Sequence, residues 1–211
     1  MAQIFIFGSS SAYGVGGCEG GWADMLKRHL HQTMYGENGT GEKDELYNFA
    51  KPGVTVEFVK ETFPILLKHY RNQEKVIVVL SIGLNNAKAT DWPDNFVSSA
   101  DDFRTAMHDL LTKMKSLVDQ IIVIGYPPHD ETKTLPKHNP LTGSRSYFCN
   151  ERTALFEDAL KNVCIDLGVK FIGLSTSHKE WVNGCLCLDG LHPNHTGYEK
   201  IFRALVSEIE L

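Results

Sequence analysis

The chain has 211 residues, 42% of them hydrophobic and 22% charged, and carries a net charge of −5. That length suits one domain, residues 1–211, with a core large enough to need neither a metal nor a disulfide. No block of Lys and Arg speaks for nucleic acid or an anionic membrane, and no run approaches the ~20 apolar residues of an integral membrane segment.

The opening Met-Ala-Gln-Ile-Phe-Ile-Phe-Gly has no basic leader, and its apolar run is too short for a signal peptide. It reads as a buried strand, and a cytoplasmic protein is the expectation. Five cysteines, an odd number, fit reduced thiols better than a disulfide framework. Trp22, Met25, Leu26, His29 and Leu30 then recur at helical spacing, and Leu46 to Ala50 is a second strand candidate. A helix follows with Val56, Val59, Phe63, Leu66, Leu67 and Tyr70 on one face, and Pro64 inside it predicts a kink or break.

Val76 to Ile82 is the clearest buried strand. Ser99 is placed to cap the next helix, which buries Phe103, Met107, Leu110, Leu111, Met114 and Leu117. Ile121 to Ile124 is another strand, and Tyr126 to Asn150 reads as irregular. Leu155, Ala159, Leu160, Val163 and Leu167 mark a helix that Gly168 stops. A fifth strand, Val169 to Leu174, precedes a terminal helix carrying Tyr198, Ile201, Phe202, Leu205 and Ile209. Apolar strands alternating with amphipathic helices predict a three-layer α/β/α domain with a five-stranded, mostly parallel sheet. Ligands bind beyond the carboxyl ends of such strands.

Chemistry-bearing residues fall at those ends. The first strand runs into Gly8-Ser9-Ser10-Ser11-Ala12-Tyr13-Gly14, where a serine before a helix meets the positive end of its dipole. From composition alone Ser9, Ser10 and Ser11 are equal candidates, and a Ser-rich capping turn explains the segment equally well. Gly53 offers a backbone N–H after the second strand, or is a simple turn, and Asn85 offers an amide donor after the third, or satisfies local backbone groups. Near the end, Asp189-Gly190-Leu191-His192 spaces a carboxylate and an imidazole so that they can meet in one turn, though by itself the motif reads more readily as a surface turn before a helix.

Taken in order, these segments resemble the SGNH hydrolases, also called GDSL esterases and lipases. Gly8-Ser9-Ser10 with Gly14 matches the family's first block, Gly53 its second, Gly83-Leu84-Asn85-Asn86 its third, and Asp189-Gly190-Leu191-His192-Pro193 its last. The offset to Gly14 selects Ser10. The family's Asp is replaced twice, by Ser9 and by Asn86, which removes carboxylates that help to order the loops. The resemblance implies the flavodoxin-like SGNH fold and a serine esterase without metal or cofactor. Ser10 is then the nucleophile, His192 its base and Asp189 the partner of the base. The N–H groups of Ser10 and Gly53 and the amide of Asn85 form the oxyanion hole. The implied partner is a small-molecule ester, an acylated carbohydrate or lipid, and short acyl groups such as acetyl are favoured.

The loop from Pro127 to Phe148, with Lys133, Lys137, Arg145 and Tyr147, is expected to flank the site and select substrate, or to be a plain solvated loop. Cys185 and Cys187 read as ordinary thiols, and His129, His138, His178 and His195 as polar loop residues. Two rival readings stay open: a flavodoxin-like protein whose Ser/Gly-rich loop binds FMN, and a catalytically silent SGNH-fold binding protein.

Overall fold

The computed structural model describes residues 1–35, 41, 43–139, 142–174 and 176–210. In chain order these form β1 (Ala2–Gly8), α1 (Ser10–Tyr13), α2 (Trp22–Tyr35), β2 (Glu45–Asn48), α3 (Val56–Tyr70), β3 (Lys75–Ser81), α4 (Leu84–Ala87) and β4 (Ala89–Thr90). Then follow α5 (Ala100–Lys115), β5 (Gln120–Ile124), α6 (Glu131–Thr134), β6 (Lys137–His138), β7 (Arg145–Tyr147), α7 (Asn150–Leu167), β8 (Lys170–Ile172), α8 (His178–Gly184) and α9 (His195–Val206).

The main sheet has five strands in the order β2-β1-β3-β5-β8, and every pair in it is parallel. Alternation along a strand sends neighbouring side chains to opposite faces. Phe5, Phe7, Val76, Val78, Leu80, Ile121 and Val123 therefore pack on one side against Val59 and Phe63 of α3, Phe103 and Met107 of α5, and Phe156 and Leu160 of α7. Ile4, Ile6, Ile77, Val79, Ile122 and Ile124 pack on the other against Trp22 and Leu26 of α2, Trp181 of α8, and Tyr198 and Ile201 of α9. With both faces covered, the central strands are mostly apolar, and this makes a three-layer α/β/α domain.

Local expectations fare unevenly. The Ser99 hydroxyl does cap α5, accepting the Asp102 N–H at 3.0 Å, and Gly168 ends α7 in the left-handed region at φ 62°. Pro64 does not break α3, which is continuous from Val56 to Tyr70. The one helical bond it forgoes, to the Lys60 carbonyl, lies where both residues are half-buried and water can take over. The last strand is only Lys170–Ile172, because this edge strand pairs with β5 alone and β5 ends at Ile124. The terminal helix stops at Val206, short of Ile209.

The segment from Tyr126 to Asn150, expected to be irregular, holds α6 and a hairpin instead. Strands β6 and β7 pair antiparallel, and β7 pairs on its other side with β4, giving a second, three-stranded sheet. Residues 140 and 141 of the expected flanking loop lie outside the described residues.

Candidate active site

Register brings the strand ends together. Gly8 sits beside Ser81, and Ser9 N–H donates to the Ser81 carbonyl at 3.1 Å. Lys51 N–H donates to the Gly8 carbonyl at 3.1 Å, so the turn with Gly53 adjoins the end of β1. Ser10 is the first residue of α1, and its N–H has no acceptor within that helix. Because α1 is a single turn, the expected help from a helix dipole reduces to these free N–H groups. Gly14 closes the turn at φ 95°, where an added Cβ would lie 2.6 Å from the Gly21 nitrogen.

The distant end of the chain packs onto this turn. Tyr198 Oη donates to the Val15 carbonyl at 2.6 Å, and the Cys187 thiol lies 3.3 Å from the Gly16 carbonyl. Ser10 and His192 thereby line one cavity together with Ser9, Ser11, Ser81, Ile82, Leu84, Gly125, Tyr126, Pro127, Leu191 and Pro193. No hydrogen bond joins the Ser10 hydroxyl to the ring, and His192 Nε2 has no protein partner among the described residues.

His192 Nδ1–H donates to Asp189 Oδ2 at 2.5 Å. Asp189 Oδ1 accepts the backbone N–H groups of Leu191 and His192, both at 3.0 Å. The ammonium of Lys137, on β6, reaches the same Oδ2 at 2.8 Å. Burial by itself would raise this carboxyl's pKa, but these donors outweigh it and hold Asp189 well below the usual carboxylate range.

The two asparagines of α4 divide their tasks. Asn85, 7% exposed, donates one amide N–H to the Val54 carbonyl at 3.1 Å, tying itself to the Gly53 turn. Asn86 is fully buried. Its Oδ1 accepts the Val56 N–H at 3.1 Å, and its amide donates to Ser98 Oγ at 3.0 Å and Glu57 Oε2 at 3.2 Å. The loops thus stay ordered without the carboxylate expected there. Gly53 has φ 81° and open space where a Cβ would stand.

Several participants were not read as site residues. Tyr126 walls the cavity, with its hydroxyl donating to the Ile82 carbonyl at 2.9 Å. Gly83, at φ 120°, leaves room for that hydroxyl, because a Cβ there would stand 1.9 Å from it. Lys137 was read only as part of a flanking loop. His129 is not a solvated loop residue: it is buried, and neither ring nitrogen makes a well-formed hydrogen bond. Burial pushes it down to about 4, and the Phe148 backbone and Glu131 offset only part of that. Among the described residues, no three His, Cys, Asp or Glu side chains gather as a metal ion would require. No described helix is long and apolar enough to cross a membrane.

No curated protein matches the chain. Among solved structures, it resembles a lipase/acylhydrolase from Enterococcus faecalis (TM-score 0.70, 20% identity, covering 99% of this chain and 95% of that one). It also resembles an acetylxylan esterase from Geobacillus stearothermophilus (0.69, 18%, 99% and 94%) and a psychrotrophic esterase from Pseudoalteromonas sp. (0.67, 16%, 97% and 94%). At these identities the likeness speaks for the fold. The model of the GDSL-like lipase/acylhydrolase family matches residues 6–200, from within β1 to within α9. The chain therefore belongs to the GDSL-like lipase/acylhydrolase family and is a carboxylic ester hydrolase.

Proposed function

We propose that the protein hydrolyses short-chain acyl esters, acetyl esters of carbohydrates among them, through an acyl-enzyme on Ser10. The observation that carries this reading is the single cavity shared by the Ser10 hydroxyl and the His192 ring, with Asp189 fixed behind that ring. His192 Nε2 takes the hydroxyl proton as the oxygen attacks the ester carbonyl, and Asp189 holds the tautomer and offsets the imidazolium charge. The oxyanion is received by the N–H groups of Ser10 and Gly53 and by the free amide N–H of Asn85. Protonated His192 then releases the alcohol, and water attacks the acyl-enzyme with His192 again as base.

The cavity's volume of ≈30 Å³ supports a small acyl group. It has room for one or two waters. An acetylxylan esterase among the structures of like fold points the same way.

The test is covalent labelling with a fluorophosphonate, together with hydrolysis of nitrophenyl esters of rising chain length. The parent protein is expected to be labelled and to prefer acetate, and Ser10→Ala to lose both properties. A Ser10→Ala protein that still takes the label would remove Ser10 from the reaction.

A further inference from the structure

Asp189 accepts four hydrogen bonds, two at each oxygen. That fills the roughly four lone-pair positions a carboxylate offers. Three of the donors come from its own turn. The fourth, Lys137, comes from a hairpin 52 residues away, and both side chains are half-buried, at 25% and 31% exposure.

The lysine and the imidazole thus share one oxygen. We propose that Lys137 is a positioning residue for ester hydrolysis, acting through Asp189. It keeps Oδ2 directed at His192 Nδ1, and it is a second cation competing for the charge that would stabilise the imidazolium. The proposal rests on the triad reading above.

The surroundings leave Lys137 as the charge that matters. The Cys187 thiol and the Tyr198 phenol lie near Asp189, and burial raises both, so both are neutral. Asp24 faces Tyr198 and accepts the Gly21 N–H at 2.8 Å. Lys133, packed against Gly190, is paired with Asp130 at 3.2 Å. Without Lys137 the carboxylate is free to serve the imidazolium alone, so His192 holds its proton to higher pH. The carboxylate also loses one of the four contacts that fix its orientation.

The experiment is an NMR titration of the His192 ring, assigned with His192→Gln, in the parent, Lys137→Met and Lys137→Arg. Lys137→Met is expected to move the ring's titration up by about 0.5–1 pH unit, the scale of one unit charge a few ångströms off in a partly solvated site. The acid limb of kcat/KM for nitrophenyl acetate should follow it, kcat on the plateau should fall several-fold, and KM should hold. Lys137→Arg restores the titration. An unmoved titration in Lys137→Met overturns the proposal, and a moved titration with an unmoved acid limb overturns its catalytic half. A parent protein without Ser10-dependent turnover sinks the triad reading instead, while the titration still reports on the Lys137–Asp189 pair.

Discussion

Asn86 Oδ1 accepts the backbone N–H of Val56, the first residue of α3, across 30 residues of sequence. Its neighbour Asn85 looks the other way, to the Val54 carbonyl beside the Gly53 turn. Adjacent amides thus do different work, and substitution separates them. Asn86→Ala leaves Val56 N–H and Ser98 Oγ without their buried partner and should cost about 1–3 kcal/mol by urea unfolding. Asn86→Asp keeps the acceptor but sets a carboxylate against Glu57, so it should also destabilise, and Glu57→Gln should restore part of the loss. Asn85→Ala gives up one bond, to the Val54 carbonyl, and should destabilise less than Asn86→Ala while turnover falls ~10²–10³-fold, the usual cost of one oxyanion donor. Equal turnover in Asn85→Ala and the parent would take Asn85 out of the site.

His129 makes stability depend on acidity. Its folded pKa of about 4 lies below its ordinary value of 6.5. Above 6.5 the ring is neutral in both states and no cost arises. Between 6.5 and 4 the unfolded chain binds a proton that the folded protein refuses, so stability falls as pH falls, by ~1.4 kcal/mol per unit at most. Below about 4 the loss levels off. In His129→Leu the decline across this window should be shallower than in the parent, measured by denaturant midpoints at pH 7, 5.5 and 4.5. Identical slopes in the two proteins would mean that His129 is not the responsible group.

Tyr126 should set acyl length. It lines the cavity, and its hydroxyl is held by the Ile82 carbonyl. Tyr126→Ala removes that wall and should raise kcat/KM for butyrate relative to acetate by tenfold or more, about 1.4 kcal/mol of discrimination. Tyr126→Phe keeps the ring and should leave the ratio unchanged while losing about 1 kcal/mol of stability. If Tyr126→Ala keeps the parent's ratio, another side chain limits the acyl group.

What was legible in the sequence is what short-range physics writes there. The central strands are apolar at nearly every position because both faces are covered, so Val76 to Leu80 and Ile121 to Ile124 announced themselves. Asp189 and His192 are three residues apart, so their pairing needed only a turn. The Lys137 contact to Asp189 spans 52 residues and the Tyr126 bond to Ile82 spans 44, and neither leaves a periodic trace. Strands β6 and β7 are two and three residues long, too short for alternation to register. His129 lies in a loop as expected, but its burial was not legible because it depends on contacts such as the one with the Phe148 ring.

The three-stranded sheet joins β4, which follows the Asn85 turn, to β6, which brings Lys137 to Asp189. It is separate from the five strands that carry the core. Its hairpin can therefore differ in length and side chains without disturbing the frame beneath. A new hairpin would leave the strand that carries the serine in place, but would release Asp189 if it lost the lysine. The core and the Asp189 carboxylate thus answer to different sheets, with the lysine a thread between hairpin and site.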